Sequence, residues 1–287
     1  MSVLSTDANE VTYSPASPLA NPGKLISELV RDTVRYRELI WILFLRDLKA
    51  QFRQSMLGYV WLFLPPIMTT AVWLFLNSQK VIAVETTDMP YPLFVMIGSV
   101  LWQTFVKLLQ CPLQAFHEGK PVFMKLKVPP EAFIAAGTAR AVFEFVIYAI
   151  VLIPAFIVFQ VSPSWSILAL PIFLLAIFTL GTAIGLLLIP VGSLYSDIAQ
   201  ATPVIMAFLM YMAPVVYPPP ESGLAASVIQ WNPMTPLLTG VRDLFTTGSM
   251  ECVIPAVAIF LVSSLAVFAS IVGIRIIMPH LVARMGM

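Results

Sequence analysis

Several runs of this chain stay apolar for about the 20 residues an α-helix needs to cross a ~30 Å hydrocarbon layer. No other feature limits the possible folds so strongly. Six such spans fall near 57–78, 92–112, 136–159, 166–190, 199–217 and 253–274. The runs are continuously apolar, whereas a β-barrel strand alternates lipid-facing and lumen-facing residues, so a barrel fits poorly. Composition agrees: 59% of the 287 residues are hydrophobic and 11% charged, against roughly a quarter charged in a soluble domain. The expected fold is all-α, a polytopic membrane protein with six transmembrane helices. A net charge of +1 gives no bulk attraction for nucleic acid.

Residues 1–30 read as a disordered cytoplasmic tail, polar and punctuated by Pro15, Pro18, Pro22 and Gly23, and residues 31–287 as the transmembrane domain. The tail carries Asp7 and Glu10 and lacks the apolar core of a cleavable signal. Arg31, Arg35, Arg37, Arg46, Lys49 and Arg53 precede the first span. Lys120, Lys125 and Lys127 lie between spans two and three, and Arg275 and Arg284 follow the last. The other side holds only Lys80 and Arg242. Basic residues favour the cytoplasmic side, so both termini are expected inside a cytoplasmic (inner) membrane. Lys107, near the inner end of span two, is expected to snorkel to that interface.

The first span is preceded by a helical segment at 33–55. At 100° per residue, Arg46, Lys49 and Arg53 share one face and Trp41, Phe44, Leu45, Leu48 and Phe52 the other. That pattern predicts an amphipathic helix lying along the inner membrane surface. It serves either as a plain anchor on anionic headgroups or as a contact surface. The second inner loop, His117 to Glu131, mixes Lys120, Lys125 and Lys127 with Val122, Phe123 and Met124. It is either an ordinary basic loop or an element that presents apolar side chains to a soluble partner. Pro129 and Pro130 suit the first turn of the third span. Outside, residues 218–251 form the longest external loop, where Leu237, Leu238, Val241, Leu244 and Phe245 recur at helical spacing. One or two short helices are expected there.

Within span one, Tyr59, Phe63, Pro66, Thr70, Trp73 and Asn77 share a face, opposite Leu64, Met68, Val72 and Phe75. Aromatic rings with hydroxyl and amide groups suit a conduit that tolerates varied sugars. Helix packing and interfacial aromatic belts are the alternative. Span two carries a polar stripe, Ser99, Gln103, Gln110 and Gln114, facing a wet path or a neighbouring helix. Tyr59, Phe63, Thr70, Trp73, Asn77, Ser99 and Gln103 are the candidate translocation path. Arg140 and Glu144, four apart in span three, are expected to neutralise each other. Gly181 and Gly185 form a small-residue motif for close helix packing within the subunit.

Much catalytic chemistry is missing. There is no G-x-x-x-x-G-K-[ST] phosphate loop, no H-E-x-x-H and no nucleophile elbow. Cys111, Cys252, His117 and His280 lack metal-ligand spacing, so no metal is expected. The chain is not expected to be an enzyme or to hold a cofactor. Any work it performs draws on a partner, because the shortage of acidic residues in mid-span disfavours coupling to a proton gradient.

The stretch YRELIWILFLRDLKAQFRQSMLGYVWLFLPP, Tyr36 to Pro66, resembles the start of membrane subunits of ABC-2 type exporters for polysaccharide, O-antigen and teichoic acid. The likeness rests on Arg53 to Trp61 followed by Pro65 or Pro66, and continues through Pro129, the Asp197 region, Pro214 with Tyr217, and Asn232-Pro233 followed by Arg242. Val128 stands where relatives often carry an aromatic residue. The resemblance implies a half-transporter: two copies form the conduit, and two separate ATPase subunits bind below and hold the ATP and Mg. It also implies that the amphipathic helix, with Arg46 and Lys49, touches the ATPase. His117, Glu118, Lys120, Val122, Phe123, Met124, Lys125 and Lys127 would belong to the coupling loop. The implied cargo is a lipid-linked glycan, whose pyrophosphate Arg46 and Arg53 could meet. A drug or lipid permease of the same architecture is the main alternative, ahead of a proton-coupled transporter.

Overall fold

In hydrocarbon a backbone N–H or C=O has no water to bond, so a spanning segment satisfies its own groups as a helix. The apolar runs do so. The computed structural model describes Arg31 and residues 35–53, 55–80, 88–123, 128–161, 164–195, 197–220 and 222–285. Regular structure among them is helical: α1 Arg37–Phe52, α2 Val60–Ser78, α3 Tyr91–Phe123, α4 Pro130–Val158, α5 Leu170–Leu194, α6 Asp197–Tyr211, α7 Leu224–Trp231, α8 Met234–Phe245 and α9 Val253–Met285. A 3₁₀ turn, Trp165–Ala169, leads into α5. Residues 1–30, read as a disordered tail, lie outside the described residues.

Among the described residues, five helices are long and apolar enough to cross a membrane: α2, α3, α4, α5 with its 3₁₀ lead-in, and α9. The span expected at 199–217 is shorter, because α6 ends at Tyr211 after 15 residues, about 22 Å at 1.5 Å per residue. Pro214 explains the stop: it has no N–H for the carbonyl four residues back, and its ring clashes with that carbonyl. Two turn bonds close the helix end, Met212 N–H to Leu209 O at 3.0 Å and Ala213 N–H to Met210 O at 3.4 Å.

Helix α3 is the shared wall of the subunit. Of its apolar window 72% is buried, against 17% for α2 and α9 and 22% for α4. Helices α4 and α5 pack along it, α2 and α6 lie on further flanks, and α9 packs on α5. Close approach to α5 depends on small residues. A Cβ at Gly185 would fall on the Leu109 carbonyl, and one at Gly181 would crowd Leu108 and the Phe105 carbonyl. The sequence motif thus packs within the subunit, as expected. At 33 residues, α3 is about 50 Å long. Its inner turns absorb His117–Phe123, so the second inner loop is shorter than the sequence suggested and joins α4 at Pro130.

Helix α1 docks on α4. Leu43, Phe44 and Leu48 are buried, and the Phe44 ring meets Phe143 edge-on at 5.9 Å between centroids. The buried face is rotated from the one read in the sequence. Trp41 is 60% exposed, whereas Leu43, on neither predicted face, is buried. The physical reason is that the helix meets two apolar surroundings: α4 covers one flank and leaves Trp41 and Ile42 facing outward. The 218–251 segment, read as the longest external loop, forms two short helices as expected, α7 and α8, with Leu237, Leu238, Val241 and Leu244 of α8 in the largest core cluster.

Gly185→Val would push methyls into the α3 backbone. A destabilisation of about 1–3 kcal/mol is expected from overpacking, read as a lower thermal midpoint of the detergent-solubilised protein. An unchanged midpoint would show that the α3–α5 seam is looser than described.

Candidate translocation and coupling site

The polar stripe on α3 is longer than Ser99, Gln103, Gln110 and Gln114. Lys107 stands four residues beyond Gln103 and three before Gln110, and so joins the same face. Gln103, Lys107, Gln110 and Gln114 are half-buried, while Ser99 is fully buried and its Oγ has no hydrogen-bond partner among the described residues. The Lys107 ammonium does not snorkel to the interface. It pairs with Glu144 of α4 at 2.8 Å, Glu144 is 1% exposed, and the Tyr148 hydroxyl donates to the same carboxylate oxygen at 3.4 Å.

This corrects the expected Arg140–Glu144 pair. Arg140 instead donates through Nη2 to Gln114 Oε1 at 3.3 Å and Cys111 Sγ at 3.5 Å. The two helices run antiparallel, which sets Lys107 level with Glu144 and Gln114 level with Arg140. A cross-helix cation therefore reaches the carboxylate before the residue four back on its own helix does.

Span one turns its mixed face toward its own subunit. Pro66 and Thr70 are buried, and Phe63, Trp73 and Asn77 are half-buried. The Thr70 hydroxyl donates to the Pro66 carbonyl at 2.8 Å, and Trp73 lies 6.4 Å from the Tyr211 ring of α6. Tyr59, before α2, is exposed, as are Met68, Val72 and Phe75 on the opposite face.

At the inner end of α3, Lys120 donates to the Ser193 carbonyl at 3.3 Å, a cation on the last turn of α5 where the helix dipole favours one. His117 is half-buried, with Nε2 free of any partner among the described residues, and a Cβ at Gly192 of α5 would touch that nitrogen. Glu118 is exposed and Val122 half-buried. Met124, Lys125, Lys127 and the Phe123 side chain lie outside the described residues. On α1, Arg46 pairs with its neighbour Asp47 at 2.8 Å, whereas Lys49, and Arg53 just past the helix end, are exposed. Among the described residues no cluster of His, Cys, Asp or Glu could hold a metal ion.

The densest polar construction lies where α6 breaks. Non-helical backbone at membrane depth survives only if each freed group finds a partner, and the carbonyls of residues 211–216 all do. Tyr217 Oη donates to Tyr211 O at 2.6 Å, and Asn232 Nδ2 to Met212 O at 3.1 Å. Val215 N–H meets Ala213 O at 2.7 Å. Arg242 donates to Pro214 O and to Val215 O, each at 2.6 Å, and Tyr91 Oη reaches Val216 O at 3.1 Å. Arg242 also bonds Phe94 O at 3.1 Å, and its guanidinium lies 3.5 Å from the centroid of the Phe94 ring. It is 4% exposed. Gly98 makes this possible, since a Cβ there would strike Val215 O and Arg242 Nη2. Asp243, alongside, is half-buried; burial pushes its carboxyl up and Asp88 adds to that, while Arg242 opposes it. The sequence reading gave Arg242 no role. Beyond its place in the family likeness, the one signal was a lone arginine inside the apolar repeat 237–245.

The described residues form a helical membrane protein built on one long central helix with α1 docked on α4, and its class, a transporter permease, comes from its family. The chain belongs to the ABC-2 type transporter family, whose profile matches residues 38–246. It is similar to the O-antigen export system permease protein RfbA of Myxococcus xanthus, 23% identical over 84% of this chain and 93% of the relative. It is also similar to the RfbA permease of Klebsiella pneumoniae, 23% identical over 75% of this chain and 82% of that one. The polysialic acid transport protein KpsM of Escherichia coli is 22% identical over 72% of this chain and 80% of its own length.

Lys107→Met would leave the Glu144 carboxylate buried and unpaired, a loss of about 3–5 kcal/mol. Adding Glu144→Gln should recover most of it, as read from the thermal midpoints of both single variants and the double. Additive losses would contradict a direct pair.

Proposed function

We propose that this chain is the transmembrane subunit of an ATP-driven exporter that moves a lipid-linked polysaccharide, of O-antigen, capsule or teichoic acid type, across the cytoplasmic membrane. Two copies form the conduit and two separate ATPase subunits drive it. ATP and Mg are held by those partners, and none by this chain. The observation that carries this reading is family membership joined to relatives named for O-antigen and polysialic acid transport, matched over 72–84% of the chain. The absence of a phosphate-loop motif from the sequence agrees with an external nucleotide engine.

In this scheme the ATPase engages the coupling segment 117–131, with His117, Glu118, Lys120, Val122, Phe123, Met124, Lys125 and Lys127, and Arg46 and Lys49 of α1. The bond from Lys120 to the last turn of α5 gives a displacement at the inner end of α3 a direct route to the α5–α6 junction. The candidate path residues Phe63, Thr70, Trp73 and Asn77 of α2 and Ser99 and Gln103 of α3 face inward in their own subunit, so in this scheme the cargo passes behind α2 when that helix parts from α3, with Tyr59 at the inner mouth. Arg46 and Arg53 meet the pyrophosphate of the carrier lipid; Arg53, without the carboxylate neighbour that Arg46 has, is the freer of the two. Both termini face the cytoplasm. A drug or lipid permease would share this architecture and differ in cargo.

The test is co-purification followed by reconstitution. An ATPase subunit should come down with the chain in equal amounts, and proteoliposomes holding both should move a lipid-linked glycan only when ATP is supplied. Transport by the chain alone, or a complex that moves no glycan, would refute the proposal.

A further inference from the structure

The connection between α3 and α4 is fastened at both ends. On its α3 side, Lys120 donates to the Ser193 carbonyl of α5 at 3.3 Å. On its α4 side, the Arg275 guanidinium of α9 pairs through Nε with Glu131 Oε1 at 2.5 Å. Glu131 is in the first turn of α4, directly after Pro129 and Pro130, so the pair holds the point where the connection re-enters a helix. A negative charge is also favoured in that turn by the helix dipole.

Both fastenings reach one body. Helix α9 packs along α5, and Thr179 of α5 shares a 2.6 Å hydrogen bond with Ser263 of α9. The other side is as close: a Cβ at Gly119 of α3 would strike the Phe133 ring of α4, so the inner ends of α3 and α4 are pressed together. Phe116, Phe133, Ile189 and Ile274, one from each of these four helices, share a buried cluster. Apolar contact of that kind is non-directional, so the two polar contacts set how the α3–α4 turn is aligned on the α5–α9 body. The Arg275 and Glu131 side chains are 18% and 20% exposed. Water reaches the charges, so the pair neither costs nor contributes what a fully buried one does. What it determines is geometry, and coupling between distant parts of a protein travels through such contiguous contacts.

We propose that Glu131 and Arg275 are positioning residues for coupling: their ion pair passes a displacement of the 117–131 segment to α9, as Lys120 passes it to α5. This rests on the export reading in one respect, that an ATPase acts on the segment.

The complex of the full chain with its ATPase is followed by hydrogen exchange with and without a non-hydrolysable ATP analogue. In the wild type the analogue should change exchange in residues 117–123 and 128–134 and also in the inner part of α9, residues 268–278. In Glu131→Gln and in Arg275→Gln the first change should persist and the α9 change should be lost. Exchanging the charges, Glu131→Arg with Arg275→Glu, should restore it. A pair that only braces the fold would lower the thermal midpoint without separating the two responses. In proteoliposomes with ATP, each single variant should move about tenfold less glycan per ATP hydrolysed, within the usual range of coupling between sites, and the exchanged pair should recover most of that loss. An α9 response that survives both single variants overturns the inference, as does a wild type in which 117–134 responds and α9 does not. The wild-type comparison decides even should a variant fail to fold. A wild type that shows the α9 response yet moves no glycan would refute the export reading and leave the role of the ion pair standing.

Discussion

Backbone polarity governs this molecule wherever its helices stop. A helix in hydrocarbon satisfies itself, but α6 ends at Tyr211 and the chain continues without regular structure through Tyr217. Each carbonyl from 211 to 216 nonetheless has a partner, from Tyr217, Asn232, Arg242, Tyr91 or the local backbone. Arg242 is central because one planar group holds two consecutive carbonyls of the break and a third on α3. It thereby ties α8 to the break and both to the outer part of α3. Burying its charge is tolerable because three carbonyl dipoles and an aromatic face surround it. Gly98 and Phe94 are shaped around that choice.

At its other end α3 performs a second joining task. Lys107 closes on Glu144, Gln114 on Arg140, and Lys120 on the end of α5. One helix therefore links α8 and the α6 break, the Lys107–Glu144 pair and the connection to α4. Helices α2 and α9, each only 17% buried, are by contrast the elements most open to lipid or to a second copy.

Much of this was legible in the sequence. The apolar runs located α2, α3, α4, α5 and α9, and helical spacing located α8. Gly181 and Gly185 announced a close seam, because a small-residue motif requires only local spacing to recognise. What failed depended on tertiary partners. Pro214 sits in an apolar run that hydropathy reads as a continuous span, yet it ends α6. Glu144 has a cation at the right spacing on its own helix, but Lys107 across the seam lies closer, and no periodicity reveals that. His117–Phe123 carries Lys120 and Pro121 and so reads as loop, although the helix runs through it. Pro214, Tyr217, Asn232 and Arg242 contributed to the family likeness without any physical reason attached. The structure supplies one, since Tyr217, Asn232 and Arg242 saturate the break that Pro214 creates.

The central claim is that Arg242 holds the α6 break against α8 and α3. Hydrogen exchange on Arg242→Met, compared with wild type in the same detergent, tests it most directly. Amides of Ala213, Val215 and Val216 should exchange far faster in the variant, with the α3–α5 seam around Leu109 and Gly185 still protected. Unchanged protection across 213–216 would contradict the account, as would protection lost equally over the whole chain.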